Sequence, residues 1–135
     1  MTLRFAVLCD YASVSKDGKL NVLGIFDRIF AVNYPAVHRE LVLVTSMESD
    51  PEDEGVQHHL VIQLVDMDGK PVTRLEGQLT FGHGKQIVNQ LHQFHDLRFE
   101  SEGSYQFDIS LDGHPIRSIG LDLVRVDPPA GTNRR

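Results

Sequence analysis

The run Gly103-Ser104-Tyr105-Gln106-Phe107-Asp108-Ile109-Ser110-Leu111-Asp112-Gly113 constrains this chain more than any other stretch. Tyr105, Phe107, Ile109 and Leu111 alternate with polar residues, and an Asp-Gly dipeptide closes the run, which is the pattern of a half-buried β-strand entering a hairpin. Side chains on a strand alternate between its faces, so these four residues are expected to share the core while Gln106, Asp108 and Ser110 look outward. The same period recurs through nearly the whole chain, and no segment carries a convincing helical repeat.

Turn chemistry divides the sequence into eight expected strands. The first runs from Leu3 to Tyr11, and Asp17-Gly18 leads into a second from Leu20 to Val32, ahead of Pro35. A third covers Glu40 to Glu48. The stretch Glu48 to Gly55, with Asp50-Pro51 and Glu52-Asp53-Glu54, reads as a solvent loop, because proline lacks a ladder donor and adjacent like charges repel. The fourth and fifth strands, Val56 to Met67 and Lys70 to Phe81, flank Asp68-Gly69, a strong hairpin signal.

From Gln86 to Phe99 the phase is broken: Ile87 and Leu91 are in step with Leu97 and Phe99, but Val88 and Phe94 are not, so a bulge or short helical turn is expected there. The opening run is the seventh strand, and the eighth runs from His114 to Val126. Together these predict an all-β, mainly antiparallel, eight-stranded β-sandwich of immunoglobulin-like or related Greek-key type. Residues 1–127 form a single domain, and 128–135 a flexible C-terminal tail with no apolar anchor.

At 135 residues with 41% apolar content, the chain can bury a core without a disulfide or metal staple. Its formal net charge of -6 and scattered basic residues disfavour nucleic acid. Cys9, the single cysteine, lies among Phe5, Ala6, Val7 and Leu8 and reads as a buried small hydrophobe. Phe5 to Cys9 is too short for a signal core, and no stretch has the length of a membrane-spanning helix. A cytoplasmic protein is the expectation.

Glu102-Gly103-Ser104-Tyr105-Gln106-Phe107 resembles the tyrosine corner of immunoglobulin-like sandwiches. The whole chain from about residue 3 to 126 also resembles a family of small bacterial proteins described only as a domain of unknown function. The resemblance is carried by Leu8-Cys9-Asp10-Tyr11-Ala12, by Gly18-Lys19-Leu20-Asn21-Val22-Leu23-Gly24-Ile25-Phe26-Asp27, by Pro35 and Asp68-Gly69, and by Gly103 to Gly113. It implies a sandwich-like fold and a bacterial origin, and transfers no site.

Candidate chemistry is sparse. His92 and His95 are three apart and His58 and His59 adjacent, so on strands each pair points to opposite faces, and neither makes a ligand pair. His38, His83 and His114 border turns. Asp66, Asp68 and Asp112 at strand ends suit calcium, yet turn chemistry already accounts for Asp68 and Asp112. There is no G-x-S-x-G, H-E-x-x-H or Walker pattern, so no enzyme, no metal and no cofactor is expected.

Hydrophobicity on both phases of the first three strands exceeds what a two-layer sandwich needs. Leu20, Val22, Phe26 and Phe30 alternate with Leu23, Ile25 and Ile29, and Leu41 and Leu43 with Val42 and Val44. Unless the Ala31 to Arg39 loop or the sixth segment covers it, one phase would be left as an exposed patch, which soluble monomers avoid. A protein interface drawn from Phe26, Phe30, Val42 and Val44 is therefore expected, formed with a protein partner or as a homo-oligomer. The non-catalytic module so described has one alternative, a sandwich holding a small ligand or metal at its loop ends.

Overall fold

The computed structural model describes residues 1–128, so the expected tail lies almost wholly outside the described residues. Nine strands follow one another: β1 (Thr2–Val14), β2 (Leu20–Ile25), β3 (Arg28–Ala31), β4 (Ala36–Glu48), β5 (Gln57–Val65), β6 (Pro71–Thr80), β7 (Ile87–Phe99), β8 (Gly103–Leu111) and β9 (His114–Arg125). They form a four-stranded sheet in the order β2-β1-β4-β7 and a five-stranded sheet in the order β3-β9-β8-β5-β6. The named pairings are antiparallel except β3 with β9.

The expected count of eight is corrected by the second strand, which is two. Gly24 takes a φ of +71, a backbone region that costs a side-chain-bearing residue roughly 1–2 kcal/mol. Two residues on, Phe26 turns its ring against the core, and the chain leaves the edge of one sheet for the edge of the other. Phe26 and Ile29 both pack on the core although they are three residues apart, so the inward-facing parity changes across Asp27-Arg28.

One core lies between the sheets. Leu41, Leu43 and Met47 of β4 and Phe94, Leu97 and Phe99 of β7 meet Leu60, Ile62 and Leu64 of β5 and the inward row of β8. Tyr105, Phe107, Ile109 and Leu111 are all buried, while Gln106 is exposed and Asp108 and Ser110 are partly so. The Phe94 ring meets that of Phe107 at a tilt of 56° with centroids 5.3 Å apart, and Phe99 lies edge-on at 4.9 Å to Tyr105, which ties the layers together. The Tyr105 hydroxyl donates to the Ser101 carbonyl at 2.7 Å, the hydrogen bond of a tyrosine corner.

The phase break expected in the sixth segment is at Asp96, whose φ is +53. Before it His92 and Phe94 are buried, and after it Leu97 and Phe99 are. At the Asp68-Gly69 hairpin, Asp66 Oδ1 accepts from the Asp68 and Lys70 amides at 2.9 and 2.8 Å, and Gly69 has a φ of +80.

A second, smaller apolar cluster sits on the outer face of the four-stranded sheet. Cys9, Ala12, Val42 and Val44 are buried there beneath half-buried Phe5, Val7, Leu20, Val22 and Leu91. The larger side chains of β1, β2 and β7 pack against these four buried residues. Among the described residues no helix is long and apolar enough to cross a membrane.

Candidate functional site

The corner where β2 gives way to β3 gathers the surface features that the fold itself does not use. Asp10 of β1 lies against Gly24, close enough that a Cβ there would stand 2.5 Å from its Oδ2. The Phe26 amide donates to the Leu8 carbonyl at 3.0 Å, which keeps the chain on β1 for one residue beyond the strand. The Asp122 amide then donates to Asp27 O at 2.9 Å and starts β3 along β9. In this short strand Ile29 packs on the core and Phe30 faces solvent at 61% exposure.

Asp10, Phe26, Arg28, Ile29, Phe30 and His38 bound an open groove of about 330 Å³. The His38 ring lies 5.9 Å from that of Phe26, and its Nε2 is shielded from solvent without a hydrogen-bond partner. On the β1–β2 hairpin, Tyr11 and Leu23 face each other across one rung, at 54% and 61% exposure, and Ile25 is 65% exposed.

The expected interface residues are thus divided. Phe30 is on the surface, and half-buried Phe26 forms the groove wall. Val42 and Val44 are corrected: at 1% and 0% exposure they offer no contact surface, because their own sheet shelters them. Leu23, Ile25 and Tyr11 are exposed instead. The signal that could have shown this is Gly24 within an apolar strand, since an interior glycine marks a bulge or a close approach.

Cys9 is fully buried, and its thiol hydrogen-bonds to Val42 O at 3.6 Å. Burial pushes its pKa up, which removes it from nucleophilic roles.

The histidines are held by carboxylates or by the core. His58 is buried with Nδ1 2.6 Å from Asp112 Oδ2 and Nε2 3.2 Å from Asp53 Oδ1, while the neighbouring His59 points to Glu76 at 3.0 Å. The bond from His58, together with the His59 amide, holds the Asp112 carboxyl below the usual carboxylate range. His92 faces inward, 3.1 Å from Thr45 Oγ1, and burial lowers its pKa to about 4. His95 is exposed. The expectation of a solvated acidic loop is corrected at Asp53, which is buried beside His58, whereas Glu52 and Glu54 are exposed.

At that loop end a second groove of about 320 Å³ lies between Ser49, Asp50, Pro51 and Glu54 on one side and Gly84 and Lys85 on the other. Its polar groups are engaged within the protein. Glu54 accepts from His83 at 2.7 Å and from the Gly84 amide at 3.0 Å, Lys85 pairs with Glu48 at 2.8 Å, and Ser49 Oγ accepts the Gln86 amide at 2.8 Å. Among the described residues, no three His, Cys, Asp or Glu side chains come together as a metal site.

No curated protein matches the sequence. The apolar run of β1, the Asp-Gly turns and the Tyr105 strand all fall within one family model, and its match to residues 4–124 places the chain in the family of unknown function DUF6941.

Proposed function

We propose that this protein is a non-catalytic, cytoplasmic module that works through protein contact at the β2–β3 corner. The observation that carries this reading is the exposure of Phe30 in the groove wall and of Leu23, Ile25 and Tyr11 on the β1–β2 hairpin. Each such side chain left in water forgoes roughly 1.5–3 kcal/mol of burial, which a partner surface would recover. The net charge of -6 argues against nucleic acid as that partner. The tyrosine corner supports an immunoglobulin-like reading of the sandwich, a scaffold on which unrelated binding functions are built.

A ligand or metal at the loop ends is the weaker reading, because Glu54 is engaged by His83 and the Gly84 amide and Asp112 by His58 Nδ1, although buried His58 Nε2 has no hydrogen-bond partner. The test is a photoreactive phenylalanine analogue in place of Phe30, with the same probe in place of Met67, an equally exposed residue in the β5–β6 turn. Irradiation in the source cell should give a discrete protein adduct from position 30 and none from position 67. Equal labelling at both positions, or none at 30, would overturn the reading.

A further inference from the structure

The chain carries its sulfur in Met1, Cys9, Met47 and Met67. The first three are withheld from solvent: Cys9 and Met47 are at 0% and 1% exposure, and Met1 packs against the core. Met67, in the β5–β6 turn, is 69% exposed. Oxidation requires access to the sulfur, so the fold confines this chemistry to one residue.

Met67 is also a contact. Its terminal methyl lies 2.6 Å, and its sulfur 4.0 Å, from where a Cβ on Gly103 would stand, so the side chain covers the first residue of β8. Gly103 has a φ of +140, a region that favours glycine, which keeps a competing side chain away. The turn beneath Met67 is itself closed, with the Asp66 amide donating to Lys70 O and the Gly69 amide to Asp66 O, each at 3.0 Å. Met67 also shares a small cleft of about 50 Å³ with Ser101, Glu102, Ser104 and Tyr105. The thioether therefore joins the β5–β6 turn to the corner at which Tyr105 bonds to Ser101 O.

We infer that Met67 is a reversible oxidation site, at which a peroxide releases the β5–β6 turn from the start of β8. A sulfur lone pair bonds to one oxygen of hydrogen peroxide as the O–O bond breaks. Hydroxide departs and takes the remaining proton as water, and the two electrons given up by sulfur reduce the peroxide. The S–O dipole prefers water to an apolar contact, and the Glu102 carboxylate in the same cleft opposes its negative oxygen. Two thiols reverse the step through a methionine sulfoxide reductase, leaving as a disulfide and water. The site lies outside the β2–β3 corner and does not depend on that corner's being a protein contact.

Native protein treated with hydrogen peroxide, then digested and analysed by mass spectrometry, is the test. The Met67 peptide should gain one oxygen at least about tenfold faster than the Met47 peptide, whose sulfur must wait for the core to open. Amide exchange at residues 66–69 and at Gly103 should then quicken by roughly twofold or more, with Phe107 unchanged. Reductases for both sulfoxide epimers should restore the parent rates. Met67→Leu keeps an apolar side chain on Gly103 and has no sulfur to oxidise, so its exchange should be indifferent to the same treatment.

Oxidation of Met1 or Met47 as fast as that of Met67 would overturn the site. Oxidation of Met67 without faster exchange at Gly103, or an equal change in Met67→Leu, would overturn the release.

Discussion

The carboxylate of Asp10 lies against the Cα of Gly24, so that a Cβ on residue 24 would come within 2.5 Å of Oδ2, and Gly24 itself holds a φ of +71. Two separate costs therefore attach to any side chain at this position. The clash is with the end of a flexible side chain and can be relieved by rotation, whereas the backbone cost cannot. Gly24→Ala is expected to destabilise the fold by about 1–2 kcal/mol, and most of that loss should persist in Asp10→Ala/Gly24→Ala. Urea unfolding of the two single variants and the double variant decides it; full recovery in the double variant would assign the cost to the clash alone.

Phe30 and Val42 belong to the same apolar pattern in the sequence, yet one is 61% exposed and the other 1%. Phe30→Ser should leave stability within about 0.5 kcal/mol of the parent, as for other surface changes. Val42→Ser places a hydroxyl and a cavity beneath Phe5 and Leu91 and should cost roughly 2 kcal/mol or more. Similar losses for the two in thermal or urea denaturation would mean that Phe30 is part of the core.

Tyr105 adds a specific bond to its burial. Tyr105→Phe keeps the ring against Phe99 but removes the donor to Ser101 O, and a loss of about 0.5–1.5 kcal/mol is expected. Phe107→Ala, which empties a fully buried site against Phe94, should cost about 3–5 kcal/mol. The order of the two losses is the check: a hydroxyl deletion as costly as the ring deletion would mean that the corner, not the core, holds β8 in place.

The legibility of the fold follows the range of the interactions concerned. Tyr105 to Leu111 were readable because strand alternation is local and the Asp112-Gly113 turn fixes where it stops. The division of the second strand is not legible, because apolar residues fill both phases on either side of Asp27-Arg28, so the change of inward parity between Phe26 and Ile29 leaves no gap in the pattern; Gly24 is the one local clue. Val42 and Val44 looked like an exposed phase because the side chains that shelter them, Phe5 and Leu91 among others, come from strands distant in sequence. The His58–Asp112 contact was invisible for the same reason, since it closes a separation of 54 residues. At the candidate site Phe30 is exposed while Phe26 is half-buried against the core, a division that their shared apolar phase does not show.

His92 provides a pH dependence whose sign can be worked out. Its folded pKa is lowered to about 4 by burial, below the ordinary value of 6.5, so between these values the unfolded chain binds the proton that the folded chain refuses. Stability is unaffected above pH 6.5, falls as pH drops through the window from 6.5 to about 4, and levels off below it for this group. The full loss is on the order of 3 kcal/mol. The Asp112 carboxyl, held low by His58, acts in a more acidic window, because its contribution is lost only as pH falls below the ordinary carboxylate range and through its depressed value. His92→Gln keeps a polar partner within reach of Thr45 Oγ1 and cannot titrate. Unfolding free energies measured at intervals from pH 7 to pH 4 should fall steeply in the parent and far less in His92→Gln. Parallel curves for the parent and His92→Gln would show that the buried imidazole is not the group whose protonation opens the core.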